Sequence, residues 1–374
     1  MKQSPPIIST DPFLLEEEPG AQAGPADDAE LREFTIDAAL HGERLDRALA
    51  QQVPEFSRSY LQQLVAAGKV TLRGMPALRP AQKVRAGEAC TVSLEPTPQS
   101  QAFIPEAMAL DIVFEDRHLM VVNKPAGLVV HPAPGNWRGT LLNGLLAYDT
   151  RAGLLPRAGI VHRLDKDTSG LMVVARERTT MDALVRLIAA REVSRQYLAL
   201  GHRPWTGPAS VRVTAAIGRD PRNRLRMAVV DLERQPGKAA ATVFDLLHNA
   251  AEGCCVRASL ETGRTHQVRV HMAQLGHPLM GDLLYGGAPC GAMVRQALHA
   301  TSLAFVHPVT GTPLVFHAGP PPDLLAALAA WGLRYNRAEW PSGHAPGLPA
   351  AASAAQSVAT GAAIAHRPRR LRPD

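Results

Sequence analysis

The sequence has few of the features that mark secreted or membrane proteins. Its four cysteines, Cys90, Cys254, Cys255 and Cys290, include no C-x-x-C pair, so we expect neither a disulfide framework nor a thiolate metal site. No apolar run reaches the ~18 residues that cross a bilayer. The start, MKQSPPIISTDPF, lacks the cationic and apolar regions of a signal peptide. We therefore expect a soluble, unprocessed protein of the cytoplasm.

Motifs for nucleotide, phosphoryl and acyl chemistry are also missing. The larger, C-terminal part contains no G-x-G-x-x-G loop, P-loop or G-x-S-x-G elbow. Three histidines, His266, His271 and His277, are spaced by five and six residues, which does not place them on one helical face, and no cysteine or carboxylate completes a zinc set. We expect no cofactor and no metal.

Positive charge is unevenly distributed along the chain. The net charge is +6, but residues 1–33 contain two bases and eight acids, a balance of −6, which leaves +12 for the rest. Only six of the 40 bases are lysine, and the planar fork of arginine suits phosphate groups and base edges. A genome that favours arginine codons explains the same count. Nucleic acid is the first partner to test.

Composition divides the chain into five segments. Residues 1–33 form an acidic arm and residues 341–374 an Ala/Pro-rich tail with a basic end, and both are predicted to be disordered. Between them lie a small block at 34–97 and a larger block at 110–340. A proline-containing linker at 98–109 joins the two blocks.

The small block predicts two helices followed by short strands. Apolar residues recur at helical spacing from Leu45 to Val53, and a second helix follows Ser57 as N-cap and stops at Gly68. The strings RLDRALA, SRSYLQQLVAAGKV and KVRAGEACTV resemble the S4 RNA-binding domain over almost its whole length. In that family the paired helices and the first turn lie against structured RNA.

The S4 resemblance implies that four basic residues contact RNA phosphates. These residues are Arg44, Arg47, Arg58 and Lys69. For each of them, a solvated charged face is the alternative interpretation.

The larger block is rich in predicted strands, so it is not a helical bundle. LDIVFEDRHLMVVNKPAGLVVHP predicts two strands around a turn at 115–116 and a third strand after a turn at 125–127. Farther along, apolar residues at 160–161 and 171–174 predict two buried strands that bracket a charged loop. The stretch TTMDALVRLIAA predicts a core-facing helix.

The charged loop, HRLDKDTSGL, contains two carboxylates, Asp165 and Asp167. A carboxylate held between buried strands is costly to ionise unless a cation lies beside it. A calcium loop is excluded because Arg176 stands where a bidentate Glu is required and strands flank the loop. Asp167 and Ser169 are expected to cap backbone amides. A catalytic aspartate beside Arg163 is the remaining interpretation of the loop.

HRLDKDTSGL closely matches the signature of the RluA family of pseudouridine synthases. The resemblance extends over residues 40–335 through NKPAGLVVHP, LPRAGIVHRLDKDTSGLMVVAR, REVSRQYLAL and ETGRTHQVRVHMAQLGHPLMGDLLYG, in the expected order. With the S4-like block, HPAPGNWRGTLLN and LPRAGIV resemble the D-type members, which modify large-subunit ribosomal RNA; C-type members also carry an S4 domain. The resemblance implies an α+β protein, a small S4-type domain followed by a catalytic domain with a mixed, mainly antiparallel sheet.

The resemblance also implies a catalytic group of three residues. Asp165 is the ionised carboxylate, Arg269 is its partner cation, and Tyr197 is an aromatic that stacks on the target uracil and takes part in proton transfer. From the residues alone, TGRTHQVRVHMAQLG predicts a helix with Thr265 as N-cap and Gly276 just past its end. Arg269 lies at the margin of its apolar face, where it either reaches water or pairs with a buried acid.

Two further arginines are expected to contact RNA. Arg163 fills the gap left by an extruded uridine or clamps a phosphate, and Arg264 makes a phosphate or structural contact. We expect a monomer that isomerises uridines of large-subunit ribosomal RNA, in the loop of helix 69. A ribosome-assembly protein that binds RNA without chemistry, and a synthase acting on other ribosomal sites or on tRNA, are the alternatives.

Overall fold

The structure is a computed structural model. It describes residues 30–54, 56, 58–94, 102–133, 135–223 and 225–336. The predicted disordered tail, and all but the last four residues of the predicted acidic arm, lie outside these ranges.

The described chain forms two compact units. The first contains the residues up to Leu110 together with Leu128–Ala158. The second contains Asp111–Gly127 together with the residues from Gly159 onwards. The chain therefore enters the second unit, returns to the first and enters the second again.

A four-stranded antiparallel sheet and two helices begin the first unit. They are β1 (Glu30–Thr35), α1 (Leu45–Gln52), α2 (Arg58–Ala66), β2 (Val70–Leu72), β3 (Met75–Pro76) and β4 (Ala89–Leu94). The strand order is β1-β4-β2-β3. Buried residues of both helices, such as Leu49 and Leu61, share one core with strand residues such as Val92. Both predicted helices form, while Ser57, the predicted N-cap of α2, lies outside the described residues.

Strand β1 starts at Glu30, inside the segment that was predicted to be disordered. Its backbone pairs with β4, from Glu30 opposite Leu94 to Thr35 opposite Ala89. Most of its side chains are exposed, and Phe34 packs against the core of this unit, so hydrogen bonds to β4 and one apolar side chain hold the strand. Such a strand lacks the hydrophobic alternation by which a sequence reveals strands.

Helix α3 (Leu141–Tyr148) organises the rest of the first unit. Thr140 and Asn143 form a capping box at its start. The Asn143 side-chain amide also donates to the carbonyl oxygens of Ala102 and Ile104, at 3.1 and 2.9 Å. Part of the predicted linker is therefore attached to the start of this helix.

The third strand, predicted after the turn at 125–127, does not form. Val129 and Val130 are buried, but their carbonyl oxygens accept hydrogen bonds from the amides of Leu141 and Leu142 at the start of α3. These acceptors are therefore not used in a strand ladder. A short apolar run is compatible with either outcome, and the contact with α3 determines which one occurs.

A nine-stranded sheet forms the centre of the second unit. The strands of this unit are β5 (Ile112–Glu115), β6 (Leu119–Lys124), β7 (Ser169–Ala175), β8 (Ser194–His202), β9 (Ser210–Thr214), β10 (Ile217–Arg219), β11 (Met227–Val229), β12 (Ala241–Asn249), β13 (Gly253–Leu260), β14 (Leu298–Val306) and β15 (Pro313–His317). The sheet order is β5-β6-β7-β14-β8-β13-β12-β9, β15 pairs with β14, and β10 pairs with β11 separately. Only the β7 and β14 pair is parallel among these neighbours. The predicted mixed, mainly antiparallel sheet is confirmed.

Three helices accompany the sheet. They are α4 (Arg178–Ala189), α5 (Gln267–Gln274) and α6 (Pro322–Ala330). Leu184 of α4 is buried in a core with β6, β7 and β14, whereas Leu328 of α6 packs in a second core with Leu198 and Leu200 of β8. Val185, predicted to face the core, is 46% exposed because the neighbouring Leu184 occupies the centre of the buried face. None of the helices in the described ranges is long and apolar enough to span a membrane.

Residues 160–161, predicted to be a strand, are irregular. Ile160 makes one antiparallel bridge to Val174 of β7, and the His162 Nε2 atom accepts a hydrogen bond from the Val173 amide at 3.1 Å. The His162 side chain thus accepts the hydrogen bond that a backbone carbonyl oxygen would accept in a strand, and pairing with β7 stops after the single bridge at Ile160. The charged loop therefore leads from an irregular segment into β7.

Candidate active site

Hydrogen bonds from the end of β6 hold the loop that carries Asp165. The Lys124 ammonium is 1% exposed and donates to the carbonyl oxygens of Pro125 and Lys166, at 2.8 and 2.9 Å. The Gly127 amide donates to the same Lys166 oxygen at 2.9 Å. The residue next to Asp165 is thus anchored from two sides, which restricts the position of the carboxylate.

Asp165 and Arg269 form the ion pair that was predicted from the sequence. The Arg269 Nη1 atom lies 3.2 Å from Asp165 Oδ2, and their side chains are 8% and 14% exposed. The other side of the guanidinium is held by Asp282, whose two carboxylate oxygens accept from Nε at 2.7 Å and from Nη2 at 2.9 Å. This bidentate pair fixes the plane of the guanidinium, so that Nη1 is directed at Asp165.

Charge around Asp165 lowers its pKa despite burial. Burial by itself raises the pKa of this carboxyl, but the positive charges of His266, Arg269 and Arg163 outweigh it. Burial lowers the pKa of His266, so at neutral pH this imidazole is uncharged and the two arginines supply the lasting positive charge. Asp165 is therefore ionised at neutral pH.

Arg269 keeps its proton for the same kind of reason. Burial alone lowers the pKa of its guanidinium, but the hydrogen bonds and charge of Asp282, with the charge of Asp165, raise it above its ordinary value. One face of the guanidinium lies 4.9 Å from the centre of the Tyr285 ring. Arg269 is therefore a permanent cation enclosed by two carboxylates and an aromatic ring.

Helix α5, which carries Arg269, starts differently from the prediction. His266 rather than Thr265 is its N-cap, in a left-handed conformation with φ of 54° and without a side-chain cap. The Gln267 side-chain oxygen accepts from the Arg264 amide at 2.9 Å and from the Thr262 hydroxyl at 2.7 Å. A glutamine inside the helix thus organises its start, a device that N-cap preferences do not predict.

The position of Arg269 on α5 also differs from the expected margin of an apolar face. All residues from Gln267 to Met272 are buried, so this part of the helix has no solvent-facing side. The choice between reaching water and pairing with an acid is therefore settled by burial. Gly276 follows the helix end with φ of +87°, as predicted.

Tyr197 lies on β8, opposite Ala258 of β13 and Ala300 of β14. Its side chain is 5% exposed. Burial raises the pKa of its hydroxyl to about 12, with a contribution from the negative charge of Asp165 and an opposing one from Arg195. The hydroxyl is therefore protonated at neutral pH and lies within electrostatic reach of Asp165.

Asp282 and Tyr285 are the site residues that the sequence analysis missed. The Tyr285 hydroxyl accepts from the Met227 amide at 2.9 Å and lies 2.8 Å from His266 Nδ1. One signal could have revealed Asp282, since this acid stands within the apolar string PLMGDLLYG. A buried acid requires a cation nearby.

The remaining predicted residues of the loop and helix start occupy separate surroundings. Arg163 is exposed, and its charge acts on Asp165. Arg264 donates from Nε to the Ala239 carbonyl oxygen at 3.1 Å, a structural contact. The predicted capping role of Ser169 is wrong, because its hydroxyl lies 2.9 Å from His299 Nδ1 across the pair of β7 and β14.

In the first unit, two predicted RNA contacts share a buried acid. Asp46 is fully buried and pairs with Arg44 at 3.1 Å and with Arg58 at 3.0 Å, although both arginines remain about half exposed. Arg47 of α1 pairs with Glu43, which precedes the helix, and Lys69 lies three residues after the end of α2. Four bases are thus present at the two helices and the first turn, and Asp46 orients two of them.

The described ranges contain no group of three His, Cys, Asp or Glu residues arranged to hold a metal ion. Both ring nitrogens of His271 have partners, the Thr242 hydroxyl at 2.9 Å and the Ala215 carbonyl oxygen at 3.1 Å. The His277 Nδ1 atom lies 3.1 Å from the His202 carbonyl oxygen. These histidines therefore have structural hydrogen bonds.

Comparison with known proteins gives consistent matches. A sequence profile described as RNA pseudouridylate synthase matches residues 118–274. The ribosomal large subunit pseudouridine synthase D of Neisseria meningitidis serogroup B is 46% identical over 327 residues, covering 82% of this chain and 85% of the relative. The protein of the same name from Xylella fastidiosa is 46% identical over 312 residues, covering 80% and 92%. A solved structure, human RNA pseudouridylate synthase domain containing 1, has 28% identity and a TM-score of 0.49, covering 62% of this chain and 93% of that chain.

Proposed function

Because this chain belongs to the family of RNA pseudouridylate synthases, we propose that it isomerises specific uridines of large-subunit (23S) ribosomal RNA, in the loop of helix 69. The names of its relatives support the class of RNA. The observation that carries the proposed chemistry is a largely buried carboxylate, Asp165, paired with an arginine that a second acid holds in place.

The reaction needs an ionised carboxylate near the sugar. Pseudouridine forms when the bond from uracil N1 to ribose C1′ breaks, the base turns, and C5 bonds to C1′. The proton leaves C5 and N1 gains one, so no atoms are lost overall. Either attack of Asp165 on C1′ or stabilisation of positive charge developing there requires the deprotonated carboxylate. Arg269 contributes to the lowered pKa of Asp165, so the carboxylate is deprotonated at neutral pH.

Other residues are proposed to hold the extruded nucleotide. Tyr197 stacks on the uracil, and its protonated hydroxyl can donate a hydrogen bond to the base. Arg163 is exposed and fills the space that the uridine leaves in the RNA. Arg264 contacts a phosphate at the edge of the site, in addition to its backbone contact.

The segment 34–97 is proposed to be an S4-type domain that binds RNA before catalysis. Arg44 and Arg58 support this assignment because they stay about half exposed while Asp46 holds them in place. Arg47 and Lys69 extend the same basic set. Phosphate contacts of this kind position an RNA without reading its sequence. We further propose that the enzyme acts as a monomer in the cytoplasm, where ribosomes are assembled.

The decisive experiment maps pseudouridines in ribosomal RNA from cells with and without the gene. We expect loss of modification in the helix-69 loop, with recovery from the wild-type gene and none from Asp165→Asn. The purified Asp165→Asn protein should retain its affinity for the RNA, whereas Arg163→Ala should bind or extrude the target poorly. If the deletion removes no pseudouridine from ribosomal RNA, the proposed substrate is wrong, and an assembly role or another RNA is favoured. Normal turnover by Asp165→Asn contradicts the mechanism.

A further inference from the structure

Arg195 on β8 is a buried cation that has no acidic partner among the residues that the structure describes. Arg195 is 7% exposed, and its Nε atom is fully buried with no hydrogen-bond partner in the described ranges. The charged or polar groups that act on it most strongly are the Tyr197 hydroxyl and a second cation, Arg264. By contrast, Arg257 and Arg269, two other largely buried arginines of the same unit, each pair with a carboxylate.

Burial of an unpaired charge is strongly unfavourable for the folded protein. The surroundings give Arg195 a neighbouring positive charge rather than a negative one, which adds to this cost. A position of this kind is understandable when a ligand supplies the missing anion. Binding sites commonly keep such an unfavourable arrangement in the free protein.

The end of the Arg195 side chain lies beside an exposed stretch of backbone. A Cβ atom built on Gly263 would lie 2.8 Å from Arg195 Nη1, and Gly263 itself is exposed. Glycine therefore leaves room above the guanidinium at the start of the segment that leads into α5. A ligand that approaches over Gly263 can reach the terminal nitrogens.

A second donor without a partner lies close to Arg195. His162 Nε2 accepts the Val173 amide hydrogen, so the proton of the neutral ring is on Nδ1. That Nδ1 atom is buried and has no hydrogen-bond partner within the described part of the chain. Burial, together with the charge of Arg195, lowers the pKa of His162 to about 3, so the ring is neutral. His162 therefore supplies no negative charge to Arg195, and the anion that balances the guanidinium has to come from a ligand at its terminal nitrogens.

We propose that Arg195 binds a phosphodiester group of the RNA strand, the one attached to the target uridine. This inference rests on the proposed function, because it takes RNA as the ligand. A guanidinium fork matches two phosphate oxygens, and the phosphate charge balances the buried cation. A uracil carbonyl oxygen would leave that charge without a counterion. Tyr197, two residues along the same strand, connects this phosphate position to the place where the base is expected to lie.

The first test measures thermal unfolding of the whole protein without RNA. We expect Arg195→Met to raise the unfolding midpoint by about 2 °C or more, because an unpaired buried charge is replaced by an apolar side chain of similar length. The matched control, Arg257→Met, should lower the midpoint, because it leaves Asp245 without its partner. A lower midpoint for Arg195→Met would show that Arg195 has a stabilising partner within the protein, and the proposal would be wrong.

The second test replaces single phosphates of a substrate stem-loop by neutral methylphosphonates. For the wild type, neutralising the phosphate on one side of the target uridine should weaken binding by about tenfold or more. The affinity of Arg195→Met for the unmodified RNA should be reduced by a similar factor, and the methylphosphonate at that position should not reduce it further. Arg257→Met should respond like the wild type. If every methylphosphonate weakens binding by Arg195→Met by the same factor as it weakens binding by the wild type, the proposal is wrong.

A further variant tests the approach over Gly263 while keeping Arg195. In Gly263→Ala the added methyl group displaces the guanidinium end, so we expect weaker RNA binding and loss of the same phosphate dependence. Conversion by the wild type is measured first, on the loop found by pseudouridine mapping. If the mapped loop is not helix 69, the proposed substrate fails while the phosphate scan still applies to that loop. If no RNA is converted, the thermal test alone decides on Arg195.

Discussion

The pair of Arg269 and Asp165 predicts how activity depends on pH. Two unit charges about 4 Å apart interact by about 4 kcal/mol at an effective dielectric constant of about 20. One pKa unit corresponds to about 1.36 kcal/mol, so loss of this cation should raise the Asp165 pKa by up to about three units. Arg163 and entering water reduce the effect, and we expect about one to three units. The sign follows from charge, because Arg269 favours the ionised carboxylate.

The informative variant removes both members of the buried pair, Arg269→Met with Asp282→Leu. Loss of Arg269 alone leaves Asp282, whose side chain is 1% exposed, buried without a partner, which typically costs about 3–5 kcal/mol of stability. The double variant replaces the pair by apolar side chains and should fold. Its control is Arg257→Met with Asp245→Leu, a similar pair between β13 and β12.

The assay follows release of tritium from C5 of labelled uridine in single turnovers. Wild-type rates should stay high as the pH falls, because Asp165 remains ionised well below neutrality. In the double variant the acid limb should move upwards by about one to three pH units. Arg269→Lys, which keeps the charge, should shift it less. An unchanged acid limb in a folded double variant would refute the assignment of Arg269 as the group that keeps Asp165 ionised.

Three further predictions follow from the geometry. Tyr197→Phe should lower kcat with little effect on KM, whereas Tyr197→Leu should also weaken RNA binding by about 1–3 kcal/mol through lost stacking; equal losses in both variants would contradict a role for the ring. Lys124→Met should lower kcat more than it raises KM, since the Asp165 loop loses two hydrogen bonds; an unchanged kcat would contradict this positioning role. The hydrogen bond from Arg44 lowers the pKa of Asp46, although burial acts in the opposite direction. The ionised carboxylate therefore stabilises the fold at any pH above the unfolded-state pKa of about 3.9, and this stabilisation is lost as the pH falls below that value. Asp46→Asn should therefore destabilise the 30–94 region by about 2 kcal/mol at neutral pH, and the stability of the variant should depend less on pH in the acid range. Hydrogen exchange of the backbone amides measures both effects. A variant whose stability falls with pH as steeply as that of the wild type would exclude Asp46 as the titrating group.

Local patterns in the sequence determined several elements of this protein. The helical spacing that begins at Leu45, the apolar strands that became β6 and β7, and the turn at Gly276 depend mainly on near neighbours along the chain. The charged loop between apolar segments also indicated that Asp165 or Asp167 needs a cation, and the resemblance to the RluA family selected Asp165. These features follow from periodicity and backbone conformation, which act over a few residues.

Tertiary structure decided the features that depend on distant residues. The carbonyl groups of Val129 and Val130 accept hydrogen bonds from the start of α3 rather than from a strand, and β1 forms by pairing with β4, which is distant in the sequence. Asp282 anchors Arg269, and no local pattern states which buried acid meets which buried base. Apolarity specifies that a residue is buried, but hydrogen-bond partners and charge pairs are set by the three-dimensional arrangement of the chain.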